Sequence, residues 1–282
     1  MPTNMNARLL TALTLMAIAL SSGAEAQVDQ QALARQILAE DRATARGAFY
    51  QARSALTPEA MGPELRSALI TVLERQNRIY REDFEAASAH EGLPPSALQH
   101  RPELFWGMGF ADLLEAVFAL GEPKAIPALA DALVGFWWVT YPGLTRLGEL
   151  AAPALLDIAE GGAWHRSQVR RALAVLTLMI EEPTGPPLSQ ATLQRVDQIA
   201  RKQLTTGPTY PSVLADFPLG RRSQLQAAIS LALALDDPSL TQLVQALARE
   251  PAAVRRLGIE DPAAIEDVQR HAAQELARRP MR

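Results

Sequence analysis

The chain has 282 residues, 31 acidic against 27 basic side chains, a formal net charge of −4 and no cysteine. A mild acidic balance without a basic block gives no electrostatic reason to expect nucleic acid as a partner. The missing thiols exclude disulfides, thiolate metal sites and a cysteine nucleophile, so packing alone must hold the fold.

The first 26 residues read as a secretory signal peptide. Arg8 gives a positive start, residues 9–20 are a twelve-residue apolar run, and Ala24-Glu25-Ala26 fits a small-x-small cleavage site. Twelve residues are too few to span a bilayer, which needs about 20. The alternative is a buried N-terminal helix. Cleavage after Ala26 predicts a periplasmic or secreted protein starting at Gln27. Gln27 stands where a lipoprotein anchor would need cysteine, so no membrane anchor is expected in the mature chain.

Residues 27–54 are polar and alanine-rich, predicting one long or broken helix. Leu65, Ala68, Leu69, Val72 and Leu73 then follow the i, i+3, i+4, i+7, i+8 spacing of one helix face. That helix is expected to run on, polar, to about residue 87. The Pro-rich stretch 90–102 ends it, because proline lacks the amide donor and clashes with the preceding turn. Pro102 suits the first position of a helix carrying Phe105, Trp106, Phe110, Leu113, Leu114 and Val117.

Two related segments follow, LGEPKAIPALADAL from Leu120 and LGELAAPALLDIA from Leu147, their Leu-Gly pairs 27 residues apart. Residues 55–69 lie on the first of them at an offset of 64, as a drifted earlier copy. Such internal periods mark stacked helix pairs, each too small to bury its apolar face alone. Between the copies, residues 135–143 (GFWWVTYPG) stand where a full helix belongs. Either a short helix starts at Pro142 or a loop interrupts the stack. Ser167 is placed to cap a helix with the stripe Val169, Ala172, Leu173, Leu176, Met179 and Ile180.

Residues 181–187 (EEPTGPP) form a turn, and residues 188–204 a helix. The sixteen residues 205–220 hold three prolines, a loop length that is often functional. A helix with Leu225, Ala228, Ile229 and Ala232 ends in Asp236-Asp237-Pro238, and a last one runs from about 261 to 278 as a terminal cap. No run alternates apolar and polar residues between turn pairs, so the fold class is all-α.

LGEPKAIPALADAL and Val169-Arg170-Arg171-Ala172-Leu173-Ala174 resemble HEAT repeats, in particular the short phycobilisome-lyase-type variety. The resemblance is good over residues 113–180, fair over 222–249 and weak before 103. It implies a right-handed stack of antiparallel helix pairs, an α-solenoid, whose concave face binds other proteins. It carries over no catalytic residue. Residues 137–143 depart from the pattern and put a regular superhelix in doubt. The chain divides on this reading into the leader (1–26), an N-terminal helical segment with a divergent repeat (27–102) and a repeat domain (103–282).

Trp106, Trp137, Trp138 and Trp164 cluster in sequence with Phe105, Phe136 and Tyr141. Neighbours on a helix lie about 100° apart, so Trp137 and Trp138 cannot both enter one core. Either they fill an irregular joint or one is an interface anchor, Trp138 being favoured because it adjoins the turn 139–143. His165-Arg166 with Arg170 and Arg171 beside Trp164 offers a carboxylate- or phosphate-binding group, or a solvated helix face. The histidines His90, His100, His165 and His271 lack metal-ligand spacing. Glu181-Glu182 and Asp236-Asp237 precede prolines, so turn chemistry explains them. No nucleophile elbow or phosphate loop occurs. The reading is an exported protein-interaction module without cofactor or metal, its binding residues being Trp137, Trp138, Tyr141, His165, Arg166 and Arg170. The alternatives are an exported all-α enzyme acting on a cell-envelope polymer, with carboxylates in a groove near 205–220, and self-association.

Overall fold

The computed structural model describes residues 29–89, 109–208 and 218–279. All regular structure among them is helical, and they contain no strand. The leader, Phe105, Trp106, His90, His100 and most of the loop 205–220 lie outside the described residues.

The N-terminal stretch is two helices, α1 (Gln30–Ile37) and α2 (Arg42–Ala55). Asp29 and Asp41 start them, accepting from Ala32 N at 2.9 Å and Thr44 N at 2.7 Å. Helix α3 (Pro63–Ala89) follows, with Leu65, Ala68, Leu69, Val72 and Leu73 buried as their spacing requires. Gln30 pins its entry, accepting from Gly62 N at 2.6 Å and donating to Ala60 O at 2.9 Å.

Then come α4 (Gly109–Leu120), α5 (Ile126–Asp131), α6 (Trp137–Leu147), α7 (Ala152–Asp157) and α8 (Arg166–Glu181). The two LG copies fold alike. Each glycine takes a positive φ, 63° at Gly121 and 53° at Gly148, then a 3₁₀ turn (Pro123–Ala125, Gly148–Leu150) leads into the six-residue α5 or α7. At Gly148 the requirement is absolute, because a Cβ there would run into the Pro186 carbonyl.

Two local expectations are corrected here. Residues 137–143 are neither a loop nor the start of a helix at Pro142: α6 begins at Trp137 and carries Pro142 inside it. Pro142 falls in the second turn, so only one intrahelical bond, to the Trp138 carbonyl, is forfeited, and Thr140 Oγ1 and Thr145 Oγ1 back-bond to Phe136 O and Tyr141 O at 3.1 and 2.8 Å. The cap of α8 is His165 rather than Ser167, its Nδ1 accepting from Ser167 N at 3.1 Å.

The chain continues through α9 (Gln190–Thr206), α10 (Pro218–Ala234), α11 (Pro238–Arg249), α12 (Pro251–Arg256) and α13 (Pro262–Arg278). Asp236, at φ 55°, closes α10, and Asp237 caps α11 through Ser239 N and Leu240 N at 2.7 and 3.0 Å. Asp261 caps α13 through Ala264 N at 3.1 Å. The short α12 has no counterpart in the sequence reading.

Packing follows one rule. Helices α1, α3, α5, α7, α9 and α11 each touch the next of that set, and α2, α4, α6, α8 and α10 each touch the next of theirs. Helix α13 packs on both α10 and α11 and closes the series. Between the two rows lies one continuous core, from Leu33 and Phe49 through Leu113, Leu133 and Leu173 to Ile229 and Val268.

Candidate functional site

Antiparallel alternation brings the N-terminal ends of α4, α6 and α8 to one edge, beside the C-terminal ends of α3 and α5. The edge is aromatic. Phe110 meets Phe136 with ring centroids 4.7 Å apart, Phe136 meets Trp138 at 5.3 Å, Trp138 meets Trp137 at 6.2 Å, and Trp137 meets Tyr141 at 5.8 Å. From Phe136 a second arm runs through Tyr80 (6.2 Å) to Trp164 (6.4 Å) and on to His165 (5.7 Å). Tilted and edge-on geometries dominate, as ring quadrupoles prefer.

The root of this array is buried and its tip is not. Phe136 is 6% exposed, whereas Trp137 and Trp138 are each 48% exposed. Thr140, Gly143 and Leu144 face the core from α6, leaving the tryptophans at the rim of the buried face. Tyr80 fits because position 135 is glycine: a Cβ there would lie 2.8 Å from the Tyr80 ring.

A polar layer fixes the second arm. The Arg81 guanidinium lies 5.0 Å from the Trp164 ring centroid and 3.0 Å from an Asp131 carboxylate oxygen. Gln168 donates to Asp131 Oδ1 and Ala130 O, both at 3.3 Å, and accepts from Trp164 N at 3.1 Å. Burial pushes the Asp131 carboxyl above its ordinary pKa, with Arg81 and Gln168 working against that rise. Arg171 turns inward and bonds the carbonyls of Leu133 and Val134, at the end of the turn that follows α5. Burial lowers its pKa and raises those of the Tyr80 and Tyr141 phenols facing it.

The six expected binding residues are therefore divided. Trp137, Trp138 and Tyr141 sit together on α6, with Arg170 close enough to favour the Tyr141 phenolate electrostatically. His165 lies on the other arm and is committed to its cap, with Ser167 Oγ 2.7 Å from its Nδ1. Arg166 opens α8, and its side chain lies outside the description. Arg171, named as part of a cationic group, belongs to the interior instead. Tyr80, Arg81, Asp131 and Gln168 were not foreseen. Tyr80 and Arg81 lie in what reads as the polar tail of a helix, and only Gly135 hints at a ring seated against it.

Among the described residues no three His, Asp or Glu side chains converge as a metal site. The rim presents two accessible indoles, with the Tyr141 phenol and the Arg170 guanidinium beside them. Compared with protein-family models, curated proteins and solved structures, the chain gives no significant match.

Proposed function

We propose that the chain is an exported, HEAT-like α-solenoid that binds a protein partner through the rim of α6. The two-row packing supports a solenoid, since each helix pair completes its core only against its neighbours. The two LG copies support the same reading, matching down to the positive φ of Gly121 and Gly148. Export rests on the pattern of residues 1–26, and cleavage after Ala26 leaves the Asp29 cap of α1 intact.

One observation carries the binding reading: two adjacent tryptophans, each 48% exposed, stand on a helix whose other side is locked in the core. Accessible indoles held in one geometry lose little conformational entropy on binding and supply large contact area, which is why tryptophan is enriched among interface anchors. Arg170 and Tyr141 beside them add polar groups suited to a rim.

The test is site-specific photocrosslinking in the native host, with a photoreactive phenylalanine analogue replacing Trp138. A discrete crosslinked protein is expected from position 138 and not from Leu150, which is 51% exposed at the far end of the 3₁₀ turn after α6. Identical products from both positions, or none from 138, would end this reading.

A further inference from the structure

On α6, Trp138, Pro142 and Arg146 are spaced i, i+4, i+8, and all three are exposed, so they form one stripe along the solvent side of the helix. The stripe starts at the tryptophan rim and ends at a groove of about 700 Å³ between α2, α4 and α6. Met61, Phe118, Ala119 and Leu147 give that groove its apolar lining. Its two cationic walls differ. Arg53 is already satisfied, 2.6 Å from Asp112 and 3.0 Å from Glu115. Arg146 has neither an ion pair nor a side-chain hydrogen bond among the described residues. The groove thus presents apolar surface and one cation, Arg146, without a partner among the described residues.

We propose that the groove and stripe together bind an extended acidic peptide segment of the partner, with an apolar residue on Trp138 and a carboxylate on Arg146. This rests on the binding role of the α6 rim and names the chemistry it reads. Charge selects the ligand, since an arginine fork pairs a carboxylate through two parallel hydrogen bonds, and Glu115, the carboxylate on the groove wall, is already held by Arg53. Spacing selects it further. Eight residues of helix at 1.5 Å each separate the anchors by about 12 Å. An extended peptide rises about 3.4 Å per residue, so its apolar residue and its carboxylate stand about four residues apart. Pro142 between them lacks an amide donor and presents a flat apolar ring to the peptide's middle.

The probe is a capped seven-residue peptide with leucine at its second position, glutamate at its sixth and alanine and serine elsewhere, titrated into the purified full chain by tryptophan fluorescence. Binding is expected in the micromolar to millimolar range. It should weaken about tenfold with Arg146→Glu and equally with glutamine for glutamate in the peptide, and it should weaken with added salt. Arg255→Ala, exposed on α12 and away from the rim and groove, is expected to leave it within about twofold. Each variant's melting temperature shows that the fold persists. No binding of the acidic peptide by the wild type, or equal binding by Arg146→Glu, overturns the groove proposal. So does a signal that tracks protein concentration with a doubled mass, because a second copy would then be the occupant. A crosslink at position 138 alongside any of these results would leave the rim a protein-binding surface that does not read acidic segments.

Discussion

The strongest single-residue constraint is Gly148. Its φ of 53° with ψ −126° lies outside the regions open to residues with a Cβ, and the Pro186 carbonyl occupies the place where the Cβ would go. Glu149 N donates to the same carbonyl at 3.2 Å, so the segment 182–188 is held against the end of α6 there. Gly148→Ala is expected to lower stability by at least about 2 kcal/mol in denaturant titration. Gly121→Ala, with a similar φ and open space around it, should cost less. Equal costs would mean that strain alone, without the Pro186 contact, decides both. These glycines were legible as a repeated Leu-Gly pair, because a turn that needs positive φ leaves its mark in the sequence. His165 was not. A histidine accepting at an N-cap mimics the usual serine or aspartate, and with Ser167 two residues on, residue type pointed to the wrong cap.

At the scale of elements, α6 is where sequence and structure part. Pro142 and Gly143 read as punctuation, yet tertiary contacts impose a helix. Gly143 lies so close to Phe118 of α4 that a Cβ would sit 2.6 Å from its ring. A glycine chosen for close packing looks like one chosen for a turn, which is why the helix was missed while its aromatic content was noticed. The joint between α2 and α4 was equally silent, since its partners are distant in sequence. Tyr50 donates to Asp112 at 2.7 Å, and Arg53 reaches the other oxygen of the same carboxylate at 2.6 Å. The tyrosine hydrogen bond first, and the arginine after it, hold the Asp112 carboxyl below its ordinary pKa of 3.8. A depressed folded-state pKa contributes stability that is present above 3.8 and lost as pH falls through the lowered value. The effect is small because both side chains are over a third exposed. Hydrogen exchange should speed up in α2 and α4 relative to α8 on going from pH 5 to pH 3, and Asp112→Asn should remove that difference. Uniform acceleration across all helices would assign acid sensitivity elsewhere.

For the whole molecule, the all-α class was legible because helical stripes such as Val169, Ala172, Leu173 and Leu176 are buried where their period put them. The row-on-row order was legible as repetition in residues 120–159 and more faintly in the copy at 55–69 and in 222–249, while α1, α2 and α13 carry no repeat signature. The two ends differ from the middle. On α2, Thr44, Gln51 and Ser54 face solvent, and on α13, Glu266, Arg270 and Gln274 do. Polar residues on these two helices leave little apolar area there for end-to-end stacking.

At this edge a buried root, Phe136, gives way to an exposed tip at Trp137 and Trp138. A paired experiment separates root from tip: the unfolding free energy and the yield of partner captured from native extract, for Phe136→Ala and Trp138→Ala side by side. Phe136→Ala is expected to cost about 3–5 kcal/mol of stability, as a large core truncation does. Trp138→Ala should cost about 1–2 kcal/mol of stability, since half its surface is already in water, yet lose 2 kcal/mol or more of partner affinity. A Trp138→Ala protein that loses as much stability as Phe136→Ala, or that keeps full partner affinity while folded, would make the aromatic edge a packing joint and not a binding surface.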